Sequence, residues 1–259
     1  MNGGRSRPTG DPFAHLHPRL RRITGGEEQT LLGKLDAVLP QPPGGLLAGH
    51  DNRVSFTDVR PGAVGVRNLA PAVFAAYVRL LIPLRGDVHA GDSPGRVSWR
   101  ELASARGVMI HAETPLRALV PDEDSGALMG VEPLIGSMDP TTTIELAATL
   151  AAHTPTPHAV FFLYWGGLGG LQLNSDAVYQ GPLDAMRDLY PFADHWFQPP
   201  TLWWDQGSSW FVTTHCDATS TYVGGSQELR DALLAHAHLD AIEVDLDTEV
   251  DDWTRVPTR

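Results

Sequence analysis

The chain holds one lysine, one cysteine and no uninterrupted apolar run of 18 residues, and each shortage removes a class of chemistry. With Cys216 alone, neither an internal disulfide nor a cysteine-built zinc site is expected, and a reducing compartment fits. With Lys34 alone, Schiff-base chemistry or a lysine phosphate clamp would fall on a residue in LLGKLDAVL, which reads as the polar face of a short amphipathic helix. The first 22 residues carry five arginines but no apolar core of signal-peptide length, so the expectation is a soluble, cytoplasmic protein without a membrane partner.

What is present is acidic and rich in small residues. Nineteen basic against 31 acidic side chains give a formal charge of −12, which repels nucleic acid, so no nucleic-acid partner is expected. Arginine in place of lysine, together with abundant Ala, Gly and Pro, suggests a high-GC bacterial source. A hydrophobic content of 42% over 259 residues suffices for a real core.

Residues 1–26 read as a flexible basic tail and 27–255 as a single domain, with 27–69 as a loosely packed extension of it. Helices are predicted at Glu27 to Val38, over PAVFAAYVRLL from about Ala70, at SWRELASAR behind a Ser98/Glu101 capping box, after Asp139-Pro140, and after Ser226. HAVFFLYW at 158–165, SWFVTTH at 209–215 and AIEVDL near the end read as strands, and the Gly-Gly of TYVGGS reads as a turn. Strands and helices intermix without a steady βαβ rhythm. The fold class is therefore α+β, or alternatively α/β, with a mixed central sheet flanked by helices.

Motifs with chemical meaning are weak. The run GGLGG at 166–170 would need a sixth-position glycine where Gln172 stands, and no helix follows to hold a phosphate, so no cofactor is expected. His15-x-His17 and His236-x-His238 lack the supporting ligands of a metal site, and none is assigned. Gly-Ser pairs at Ser137, Ser208 and Ser226 fit turns or caps. His215 and Asp217 lie where an apolar strand delivers polar groups to a loop, the common construction of a site. Trp203 and Trp204 offer aromatic area, but alternation sends them to opposite faces of a strand, so at least one belongs to the core.

Several segments resemble an uncharacterised actinobacterial protein family: FAAYVRLLIP (74–83), GRVSWRELASARG (95–107), HTPTPHAVFFLYWGGLG (153–169), YQGPLDAM (179–186) and LWWDQGSSWFVTTHCDATSTYVGGSQELRDALLAHAHLDAIEV (202–244). The resemblance spans roughly residues 35 to 255 and implies no established activity. Ile82 stands where that family often has histidine, and His215 where it often has an acid. Both departures favour a structural role for the shared segments.

Together these readings lead to a non-catalytic binding or regulatory protein, immunity-like, with a protein partner and with Trp203, Trp204, Asp205, His215, Asp217 and Tyr222 as binding residues. The alternative is a hydrolase in which His215 and Asp217 form an acid-base pair beside Thr219, Ser220 or Tyr222. One prediction is independent of the choice: Trp210→Ala should cost about 3 to 5 kcal/mol, as for a truncated core aromatic. A thermal melt unchanged within about a degree would place this indole at the surface.

Overall fold

The computed structural model describes residues 19–38, 65–86, 95–120, 131–164, 176–192, 199–215 and 218–250. In chain order these form β1 (Arg21–Ile23), α1 (Gly25–Val38), β2 (Ala76–Leu81), β3 (Leu84–Gly86), β4 (Arg96–Val97), α2 (Trp99–Arg106), β5 (Val131–Glu132), α3 (Pro140–Ala152), β6 (Val160–Tyr164), β7 (Ala177–Gly181), β8 (Leu202–Asp205), β9 (Phe211–Thr214), β10 (Ser220–Gly225), α4 (Gln227–Leu234) and β11 (Ala241–Val244). Eight strands make one sheet in the order β1-β7-β6-β8-β9-β10-β2-β11, and β4-β3-β5 make a small second sheet. Every strand pair described is antiparallel, so the protein is α+β rather than α/β.

The helices begin where local chemistry says they should. At α2, Ser98 Oγ accepts from the Glu101 N–H while Glu101 accepts from the Ser98 N–H, and Gly107 ends the helix with φ of 65°. Asp139 caps α3 ahead of Pro140, and Ser226 caps α4 through the Leu229 N–H at 3.2 Å. Each cap satisfies amide donors that have no partner within their own helix.

Both faces of the large sheet are covered. On the first, Val78, Leu80, Phe162, Tyr164, Trp203, Trp210 and Val212 pack against Leu146, Ala147 and Leu150 of α3 and Leu229 and Leu233 of α4. On the second, Tyr77, Leu163, Leu202, Trp204, Phe211 and Tyr222 pack with Leu31, Leu32 and Leu35 of α1 and with Val66, Leu69 and Ala70. A third cluster joins Trp99, Leu102 and Ala103 of α2 to Leu81, Leu84, Leu116 and Val131.

Three expectations change. The segment PAVFAAYVRLL is not a helix. Ala76–Leu81 is a strand lying between β10 and β11, with all six residues buried, whereas Val73, which stands at helical spacing with Tyr77, Leu80 and Leu81, is 69% exposed. A strand covered on both faces is apolar throughout and can imitate helical spacing. The Gly-Gly of TYVGGS is not a turn, since Gly224 and Gly225 pair with Tyr77 and Ala76 inside the sheet. Finally, residues 21–26, placed in the tail, form β1 against β7 and open α1. The expected glycine-rich loop at 166–170 lies outside the described residues.

Gly224 has a packing reason. A Cβ there would stand 2.5 Å from Phe74 Cδ2 and 3.0 Å from Tyr77 Cε1, two rings that meet edge to face. The Tyr77 hydroxyl donates to the Pro71 carbonyl at 2.7 Å and accepts from the Phe74 N–H at 3.1 Å, which holds the rings in place. Gly224→Ala should therefore destabilise by about 1 to 3 kcal/mol, despite the entropy gained on losing a strand glycine. Chemical denaturation of the two proteins checks this, and an alanine variant as stable as the parent would mean the rings yield freely.

Candidate functional site

The residues proposed from sequence separate in space. Trp203 and Trp210 are fully buried on the first face, where their indole N–H groups donate to the Pro200 carbonyl at 3.0 Å and to Thr154 Oγ1 at 2.6 Å. Trp204 lies on the second face, stacked between Phe161 and Phe211 at centroid distances of 5.5 and 6.3 Å. These rings are interior and do not line a groove. Asp205 is also fully buried. Its carboxylate accepts from the amides of Gly207, Ser209 and Trp210 at 3.0, 2.5 and 3.3 Å and from Ser209 Oγ at 2.8 Å, which ties the β8–β9 turn together. Asp217 and Cys216 lie outside the described residues.

The remaining candidates, Tyr222 and His215, do share a region. One row of the second face crosses all eight strands: Ile23, Val178, Leu163, Leu202, Thr213, Tyr222, Arg79 and Ile242 stand opposite one another in turn. It is apolar over its first half and polar from Thr213 to Arg79. One residue beyond the Thr214–Thr221 pair, His215 and Ser220 extend this polar patch toward the β9–β10 connection.

Arg79 is its centre, and sequence reasoning passed over it. The side chain is 0% exposed. Its Nε donates to Ser220 Oγ at 2.9 Å, and Nη1 donates to the carbonyls of Ala112 and Thr114 at 2.9 and 3.0 Å. Its guanidinium carbon lies 5.3 Å from the centroid of the Trp99 ring, a cation–π contact, and the Trp99 N–H donates to the Ile82 carbonyl at 2.8 Å. Among the described residues Nη2 has no hydrogen-bond partner and no carboxylate pairs with the group. Thr213 Oγ1, buried two strands away in the same row, likewise has no partner among the described residues. A guanidinium keeps its charge, so the interior holds a cation whose desolvation, several kcal/mol in scale, is only partly offset by carbonyl dipoles. The visible signal was one charged residue inside the apolar hexad AYVRLL.

Burial pushes the His215 imidazole down to about 4, so the ring is neutral at physiological pH. The other histidine cluster is of a different kind: His236 Nε2 lies 3.4 Å from Glu145 Oε2, with the His238 ring 6.1 Å away. Among the described residues no three histidine, cysteine or acidic groups are arranged to hold a metal ion. A G-x-S-x-G sequence does occur, GDSPG at 91–95, but it leads directly into strand β4, whereas a nucleophile elbow requires a helix after its serine. No helix among the described residues is long and apolar enough to cross a membrane. Compared with known proteins, the chain matches no family model, no curated sequence and no solved structure.

The partly buried imidazole makes stability depend on pH with a definite sign. Unfolded, the ring takes up its proton near pH 6.5; folded, it resists until about 4. The contribution is complete above the unfolded value and is lost as pH falls through this window, by about 2 to 3 kcal/mol at pH 4.5. Urea unfolding at pH 7 and 4.5 should show this loss in the parent and a shallower one in His215→Gln. Equal slopes would mean the imidazole is solvated.

Proposed function

We propose that this chain is a non-catalytic binding protein, soluble in the bacterial cytoplasm and acting as a regulatory, immunity-like factor within the actinobacterial family it resembles. Its partner is a protein or a small polar molecule, and nucleic acid is disfavoured by the charge of −12. The observation that carries this reading is the buried Arg79 with its unmet N–H group, since an interior cation lacking a counter-charge is costly unless a ligand supplies one. Trp203, Trp204 and Asp205 are taken up by packing and turn formation, so the reading rests on the Arg79 region and not on them.

The hydrolase reading with His215 and Asp217 is weaker. A general base works best when its proton affinity matches the working pH, and an imidazole pushed down to about 4 is too weak a base at neutrality. The test pairs two measurements on the full chain. Affinity isolation with crosslinking should return a partner above background, while a screen of esters, amides and phosphoesters should show no turnover. Turnover that disappears in His215→Ala would replace the binding reading with the hydrolytic one.

A further inference from the structure

The polar patch on the second face has a lopsided balance of donors and acceptors. The carbonyls of Ala112 and Thr114 already accept from Arg79 Nη1, and Ser220 Oγ accepts from Nε, which leaves the serine proton free to donate elsewhere. Among the described residues Arg79 Nη2 and the Thr213 hydroxyl have no partner. The patch thus keeps unused donors and a single positive charge that faces no carboxylate among those residues.

From this we propose that the Arg79 patch is a binding site for the carboxylate of a small organic acid, an inference that rests on the binding reading above and specifies its ligand. One negative charge neutralises one guanidinium; a phosphate, at close to two, would leave the interior with uncompensated negative charge. A planar carboxylate also matches the guanidinium fork better than a spherical halide does. The neutral state of His215 adds no second cation to alter this balance. A cation is repelled, and a neutral ligand leaves the charge uncompensated.

Access passes the stretch 108–115, which has no regular secondary structure and rests on Arg79 through two of its carbonyls. Met109, 85% exposed, marks its outer side. For a ligand to reach the fully buried guanidinium, this stretch would have to lift.

The experiment is a melting-temperature titration of the full chain at constant ionic strength with acetate, succinate, inorganic phosphate and chloride, in the parent, Thr213→Val and Arg79→Lys. The parent should respond saturably to acetate or succinate, more weakly to phosphate and not to chloride. Thr213→Val, nearly isosteric, should melt like the parent without ligand yet bind carboxylate more weakly by about tenfold or more, the worth of one hydrogen bond to a charged group. Arg79→Lys keeps a charge but loses the planar fork and should weaken binding about tenfold or more. No saturable response to either carboxylate overturns the site, as does an identical response in all three proteins; a chloride response equal to that of acetate makes it a halide site instead. If a partner is captured equally well by Arg79→Lys while no carboxylate response exists, the binding reading stands and this site falls. Turnover lost in His215→Ala alongside intact carboxylate binding leaves the site standing while the non-catalytic reading falls.

Discussion

A β-sheet covered on both faces gives its central strands no side that meets water. In this protein α3 and α4 close one face while α1 and the segment around Val66–Ala70 close the other, so β2, β8, β9 and β10 are buried along their whole length. Every polar side chain on those strands must then find its partner inside. Asp205 does so through the amides of its own turn, and Thr214 and Thr221 do so by sharing a hydrogen bond at 2.8 Å across the β9–β10 ladder.

Arg79 is where this constraint presses hardest. It stands in the middle of a strand between two neighbours, at the polar end of its row beside Tyr222, and among the described residues it reaches two carbonyls, one hydroxyl and the face of Trp99. Those contacts spread its charge without neutralising it. The same geometry keeps Trp203 and Trp204 out of any surface role, since consecutive residues of β8 belong to different cores. Aromatic enrichment here serves the scaffold, and the unmet polarity lies in a residue that looked like part of a helix.

How much was legible follows from how far apart the determining residues are. The Ser98/Glu101 box, the Asp139-Pro140 start and the Ser226 cap were readable because each cap bonds within three residues, and α2, α3 and α4 begin where those signals place them. SWFVTTH and HAVFFLYW were readable as strands from composition and length. AYVRLL was not, because burial on both faces erases alternation. Of the candidate site, the sequence pointed to His215 and Tyr222, while Arg79, Thr213 and the carbonyls of Ala112 and Thr114 stand in no motif that would have drawn attention to them.

The amino-acid sequence by itself determined the helix starts, the apolar strands and the opposed fates of two adjacent indoles, because those depend on capping and alternation over a few residues. Only the tertiary structure decided that residues 76–81 run as a strand between β10 and β11, and that Arg79 meets Ser220, 141 positions away, in the interior. The reason is physical: a local bond is available to any chain carrying the right neighbours, whereas burial on both faces exists only once distant strands have paired.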